Sequence, residues 1–233
     1  MSFRARIADV EVSTPRSRLV QLDLGGTAFA YRAGQAVLLG RTEASERWPF
    51  SIACSPARAA ETGRLEVLVA LTDEGNAPNI PVAPGATLEV VGPLGDFTLP
   101  DAVDSRRLLF VAGGTGIAPL RAMMDQALRV FPESAVSVLY SARRRQEFAF
   151  LRELQAHADA DRIELHQTVT RDAGAWDGRR GRVSRSHFAE VLHDPAATEC
   201  FICGPPAMVR DSVDTLTRLD VPPNRVHYEQ WGT

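Results

Sequence analysis

The chain has no lysine: all 26 of its basic residues are arginine, a uniformity that fits a GC-rich coding bias rather than a functional demand. Cysteine is scarce. Cys54, Cys200 and Cys203 are the only three, and a protein-held iron–sulfur cluster takes four thiolates, so such a centre would have to sit on another protein. No Cys/His spacing resembles a zinc site, and no metal is expected. No apolar run is long enough to span a bilayer, and Met1-Ser2-Phe3-Arg4-Ala5-Arg6 lacks the apolar core of a signal peptide, so the expected location is cytoplasmic. The net charge of −3 gives no reason to expect nucleic acid or an anionic membrane as partner. The histidines, His157, His166, His187, His193 and His227, are scattered and read as surface or helix-end residues. Asp9/Glu11 and Asp211/Asp214 read as solvated faces, not acid–base pairs.

What is present suits a soluble globular protein: 233 residues, 45% hydrophobic and 24% charged, enough for one large or two small domains. The first hundred residues carry short, partly alternating runs at Arg4–Val12, Arg18–Leu24, Ala36–Leu39, Phe50–Ala53, Leu65–Leu71 and Thr87–Val91. Turn residues separate them, which predicts a small antiparallel β-barrel. After Pro100, apolar strands at Leu108–Ala112, Ala135–Tyr140, Ile163–Val169 and Cys200–Cys203 alternate with helices at Pro119–Val130, Gln146–Ala158, Ser184–Leu192 and Pro205–Leu219. That alternation predicts a parallel sheet with helices on both faces. The expected division is 1–101 and 102–233, with the boundary near Leu99–Ser105.

One stretch is especially informative: Leu108-Leu109-Phe110-Val111-Ala112-Gly113-Gly114-Thr115-Gly116-Ile117-Ala118-Pro119-Leu120-Arg121. A buried strand runs into a glycine turn and then a helix, with Pro119 expected at the first helical position. The helix N-terminus would present free N–H groups and the positive dipole end to a phosphate. Pro119 stands where the common dinucleotide fingerprint has its third glycine. No acidic residue ends Val136-Ser137-Val138-Leu139-Tyr140, which Ser141-Ala142-Arg143-Arg144-Arg145 follow instead.

Three further segments accompany it: Trp48-Pro49-Phe50-Ser51-Ile52-Ala53, Gly92-Pro93-Leu94-Gly95-Asp96-Phe97 and Cys203-Gly204-Pro205-Pro206-Ala207-Met208. The chain then closes on His227-Tyr228-Glu229-Gln230-Trp231. In this order and spacing they resemble the ferredoxin–NADP reductase superfamily, including reductase components of bacterial oxygenases, over about Phe3 to Trp231. The resemblance implies a Greek-key antiparallel barrel binding a flavin, followed by a Rossmann-like domain binding NADH or NADPH. Phe50 would lie against the flavin ring and Ser51 would hydrogen-bond near N5, with Trp48 and Pro49 beside them. Trp231 would cover the opposite ring face and yield to nicotinamide. Gly113, Gly114, Thr115, Gly116 and Pro119 would hold the pyrophosphate, with Gly204 and Pro205 shaping a second turn beside it. Cys203 would either orient the nicotinamide or serve as a small buried hydrophobe. As catalytic residues the resemblance implies Ser51, Cys203 and Trp231.

The departures bear on the flavin. The family's Arg-x-Tyr-Ser strand reads Trp48-Pro49-Phe50-Ser51 here, with Arg47 one residue early and so turned to the other face unless a bulge intervenes. The second phosphate contact, a Gly-x-x-Ser/Thr turn, reads Gly75-Asn76-Ala77-Pro78. A charge-assisted phosphate bond contributes about 1.5–3 kcal/mol, so a loosely held flavin is expected: FAD in a rearranged pocket, FMN, or an exchangeable flavin. Arg143, Arg144, Arg145 and Arg171 favour NADPH on charge, while the Cys-Gly-Pro-Pro ending resembles NADH-using branches, towards which the reading leans. The expected activity is hydride transfer from NAD(P)H to flavin, with electrons passed to a ferredoxin, an oxygenase component or free flavin. Arg41 and Arg47 are candidates for docking an acidic carrier. The alternative is a non-catalytic or regulatory subunit that keeps the fold as a scaffold.

Overall fold

A computed structural model describes all residues except 43, 78, 102–105, 172, 173, 175 and 231–233. The first half is an antiparallel sheet of β1 (Ser2–Thr14), β2 (Ser17–Asp23), β3 (Ala36–Arg41), β4 (Trp48–Ser51), β5 (Arg64–Ala70) and β6 (Thr87–Leu94), with one helix, α1 (Pro56–Thr62), between β4 and β5. The strand order is β4-β3-β6-β1-β2-β5, and an Ile52–Val67 bridge brings the two ends together into a barrel. Ile7, Leu22, Val37, Leu39, Ile52, Leu65, Val67, Leu88 and Val90 fill it. Helix α1 was not anticipated, although its signals are local: Ser55 Oγ accepts from Arg58 N, Pro56 opens the helix, and Gly63 closes it at φ 67.

The second half is a parallel sheet of β7 (Arg107–Gly113), β8 (Ala135–Ala142), β9 (Glu164–Val169), β10 (Arg179–Arg180), β11 (Thr198–Gly204) and β12 (Val226–Gln230). Its order is β10-β9-β8-β7-β11-β12. Around it run α2 (Ile117–Val130), α3 (Leu151–Asp159), α4 (Arg185–Val191) and α5 (Pro206–Thr217). One apolar cluster lies under α2 and α3 and a second under α4 and α5, so both sheet faces are covered. The order reverses between β7 and β11, and in open α/β sheets ligands bind outside the carboxyl ends of the strands at such a point.

The imperfect alternation of Leu65–Leu71 has a tertiary cause. All of Leu65–Val69 is buried: Leu65, Val67 and Val69 face the barrel core, while Leu68 joins the cluster built around α2 and Glu66 pairs with Arg121. The strand is covered on both sides because the second half packs on it. Several predicted boundaries move. β4 ends at Ser51, not Ala53, and α3 starts at Leu151, not Gln146, because a 3-10 turn at Arg145–Glu147 and a left-handed Phe150 precede it.

Candidate nucleotide and flavin site

The glycine turn follows β7 as expected. A 3-10 turn over Gly114–Gly116 leads directly into α2, so Pro119 is the third helical residue and not the first. It is tolerated there because the first helical N–H groups have no intrahelical acceptor in any case. The glycines divide into two roles. Gly114 takes φ 56, a left-handed conformation. Gly113 and Gly116 are space-limited: a Cβ on Gly113 would stand 2.6 Å from Met208 Sδ, and one on Gly116 only 2.3 Å from the Cys203 carbonyl oxygen. A Cβ on Gly204 would lie 3.1 Å from Gly113 Cα. The turns after β7 and β11 are thus pressed together, and Gly116 and Gly204 serve that closeness rather than a direct approach to a ligand.

A cleft of about 650 Å³ opens over these turns, a volume suited to a cofactor. The second half contributes Gly113, Gly114, Thr115, Arg143, Arg171, Arg182, Pro205 and Met208; the barrel contributes Thr14, Arg16, Ser17, Ala70 and Leu71. Against these four arginines stand Glu147 and Asp211, so the lining is net positive. Arg143 directly follows β8, and Arg171 N donates to Arg143 O at 2.9 Å, which holds the two loops together. The nucleotide residues expected from sequence therefore converge, with Gly116, Gly204 and Pro119 buried or packed behind the lining.

Tyr140 was missed. Its ring is buried under the turn, and its hydroxyl donates to Gly114 O at 3.0 Å and accepts from Ala149 N at 3.1 Å, joining two residues of the cleft wall. Burial raises its pKa and keeps it neutral. As one tyrosine in an apolar strand, it carries no signal in sequence.

Cys203 is 1% exposed, and burial together with nearby Glu229 pushes its thiol pKa up. It is a neutral thiol with no activating base, consistent with either of its two sequence readings. Glu229, on β12 opposite Cys203, was also missed; burial raises its carboxyl pKa. Trp231 lies outside the described residues.

The barrel side fits a flavin ring better than flavin phosphates. Ser51, Ala36 and Leu94 form one cross-strand row on the outer face, where Leu94 is 39% exposed; Trp48, opposite the fully buried Leu39, lies on the other face with Phe50 although it is 38% exposed at the strand end. That is apolar surface a ring could cover. Phe50 pairs with the fully buried Val37 and packs half-buried against the barrel core, so only its outer part is available. Pro49 is exposed. Arg47 is not brought to this site: it crosses Gly40 to pair with Glu89 at 2.5 Å and with Ser45 O at 3.0 Å. The absent Cβ of Gly40 leaves it room. Arg41 stays exposed. Gly75 and Asn76 do not form a phosphate cradle either, because Gly75 N donates to Thr72 O and Asn76 N to Thr72 Oγ1. Pro78 lies outside the described residues.

In sequence the histidines read as surface or helix-end residues, and His187 is at a helix end, in the first turn of α4, but not at the surface. It is 4% exposed, bridging Ser184 Oγ and Thr168 Oγ1 at 2.9 and 3.2 Å, and burial lowers its pKa. Among the described residues no helix is long and apolar enough to cross a membrane, and no His/Cys/Asp/Glu group could hold a metal.

A parallel sheet with a glycine turn at its switch point, joined to an antiparallel barrel that forms the opposite wall of the cleft, is the two-part architecture of the chain, and the comparisons with known proteins place it among the oxidoreductases. Residues 110–214 match the oxidoreductase NAD-binding domain family. Ferredoxin–NADP reductase B of Sorangium cellulosum is 34% identical, over 98% of this chain and 97% of that protein. The chain belongs to the ferredoxin–NADP reductase family. Among solved structures, the cytochrome P450 reductase GcoB of Amycolatopsis superposes with a TM-score of 0.86 at 27% identity, covering 99% of this chain and 69% of that one. The FAD/NAD-binding domain of nitric oxide dioxygenase from Vibrio cholerae shares the fold, with a TM-score of 0.83 at 18% identity, over 99% and 98%.

Proposed function

We propose that the protein is an NAD(P)H-dependent flavin reductase that passes electrons to a separate acceptor: a ferredoxin, an oxygenase component or free flavin. The observation that carries this reading is the positive cleft between the barrel and the glycine turn. In this reading residues 1–101 form the flavin half and 102–233 the nucleotide half. Gly113, Gly114 and Thr115 hold the pyrophosphate at the N-terminus of α2. Ser51 orients the flavin ring through its hydroxyl, Pro49 and Leu94 on the same face give the ring apolar support, and Trp48 and Phe50 offer only their exposed edges from the other face of β4. Cys203 and Glu229 shape the nicotinamide side, and Trp231 caps the flavin. When bound, flavin supplies an N5 that accepts hydride and an isoalloxazine that releases electrons singly or in pairs. The chain's own contribution is to align the two cofactors and exclude water.

The flavin is FAD, as in the named Vibrio domain, or FMN. It is held weakly, because Arg47 and the Thr72–Asn76 turn spend their donors within the protein. The hydride donor is NADPH rather than the NADH towards which the Cys-Gly-Pro-Pro ending leaned. Arg143 and Arg171 stand side by side at the strand ends where a ribose 2′-phosphate would lie, with no ion pair among the described residues. The test is anaerobic titration of FAD-loaded protein followed by comparison of kcat/KM for the two donors. The expected results are bleaching of the yellow band and a preference for NADPH that Arg143→Ala lowers about 10- to 100-fold, as loss of one charge-assisted bond of about 1.5–3 kcal/mol requires. A colourless protein that neither takes up FAD nor oxidises either nucleotide would support the scaffold alternative.

A further inference from the structure

We propose that Arg121 is a positioning residue that sets the spacing between the flavin-bearing strand and the nucleotide turn. Arg121 lies on α2, little more than one turn beyond Gly116, and its side chain is 2% exposed. Its guanidinium uses both forks. Nη1 donates to Glu66 Oε2 at 2.6 Å and to Ala53 O at 2.7 Å, both on the barrel. Nε and Nη2 grip the Glu153 carboxylate on α3 at 2.8 and 2.7 Å. Phe150, held left-handed at φ 58, lies against the guanidinium with 4.3 Å between Cζ and the ring centroid. Burial opposes the charge, but the Glu153 and Glu66 carboxylates outweigh it and raise the pKa.

Ala53 follows Ser51 by two residues, and its N–H donates to Glu66 O at 2.8 Å. One buried cation thus holds the continuation of β4, the adjacent strand β5 and the helix whose N-terminus is the nucleotide turn. The same stripe of α2 continues at Asp125, which accepts from Ser55 Oγ, and at Arg129, which pairs with Glu61 at 2.9 Å. Side-chain exposure rises from 2% through 17% to 40% along these rungs, so the innermost carries the constraint and the outermost is a solvent-screened surface pair. A well-packed apolar residue could stabilise a buried junction equally well. What the bidentate arginine adds is direction and register.

This inference rests on the hydride-transfer reading, in which a misplacement of about 1 Å costs on the order of a hundredfold in rate. The test uses Arg121→Lys, which keeps the charge but cannot fork, with Arg129→Ala as the outer-rung control. In cofactor-free protein, hydrogen exchange over residues 51–55 should accelerate at least about tenfold in Arg121→Lys and stay unchanged in Arg129→Ala. In FAD-loaded protein, stopped-flow flavin reduction should slow about 10- to 100-fold, with the NADPH Kd within about threefold. Arg129→Ala should reduce as wild type does. If Arg121→Lys fails to fold, Arg121→Met with Glu66→Gln removes both buried charges and should show the same slow reduction. Reduction within twofold of wild type in a folded Arg121 variant, or equal slowing in Arg129→Ala, overturns the proposal. If wild-type flavin is not bleached by NADPH at all, the hydride-transfer reading itself has failed.

Discussion

Gly116→Ala is the sharpest probe of the paired turns. Gly116 has φ −61 and ψ −10, ordinary right-handed helical values. Its backbone therefore does not demand glycine, and alanine at a compatible helical position would by itself stabilise by about 0.4–1 kcal/mol. Space is the only objection. The added methyl would sit 2.3 Å from Cys203 O, 2.6 Å from Cys203 C and 2.9 Å from Gly204 N. All three are backbone atoms of β11 and its turn, so no flexible side chain can swing aside. Reaching ordinary contact needs a shift of about 1 Å between α2 and the β11 turn. Overpacking of this kind costs about 1–3 kcal/mol or somewhat more. The net loss should be about 0.5–2.5 kcal/mol, and in a chain of this length Tm should fall roughly 1–10 °C. Because the shift moves the glycine turn proposed to hold the pyrophosphate, NADPH Kd should rise at least about tenfold as well. Gly26→Ala is the control: Gly26 has φ 78 and open space around it, so alanine there costs stability through backbone strain alone and leaves Kd unchanged. Thermal melts and nucleotide titration of both variants decide the matter. An unchanged Tm with Kd within twofold for Gly116→Ala would refute the reasoning.

Tyr140→Phe should leave Ala149 N without its partner and release the prop under Gly114. The expected loss is about 1–3 kcal/mol in a thermal or urea melt, with weaker nucleotide binding and little change in the rate of the bound complex. Partial burial on β12 pushes the Glu229 carboxyl above its ordinary value. Folding therefore favours its neutral form, a contribution present at acidic pH and lost as pH rises through the folded-state pKa. Glu229→Gln should melt close to wild type near pH 4 and above it at neutral pH, the gap widening as pH rises. A constant gap from pH 4 to 8 would show that Glu229 does not titrate in this way.

Much of the architecture was legible along the chain because its signals are local. The two strand-to-helix turns, the barrel-to-α/β change of pattern and the Gly113–Pro119 segment depend on near neighbours in sequence, and the turns converge as expected. Helix α1 had equally local caps in Ser55-Pro56 and Gly63 that went unread. Other residues gave no local sign of their role. Arg47 sits one position from the expected phosphate ligand, but its partner Glu89 is on β6, across a strand whose Gly40 makes room. Gly75 and Asn76 have the right residue types for a cradle, yet Thr72 absorbs their amides.

Residue order along the chain was enough to read the barrel-to-α/β change of pattern, the glycine turn between β7 and α2 and the scarcity of cysteine. These follow from backbone propensity, glycine and proline geometry, and residue counts. Which arginines face the cleft, and which are engaged in ion pairs such as Arg47 with Glu89, emerges only from the folded arrangement. The tertiary structure alone showed that a side chain on Gly116 would collide with the Cys203 backbone. It also showed the contacts of three residues with no local signal: Tyr140 under the glycine turn, Glu229 opposite Cys203, and Arg121 between the barrel and α3. Charge partnership and close packing are set by residues far apart in the chain, and a side chain's free or engaged state exists only once the strands and helices have been brought together.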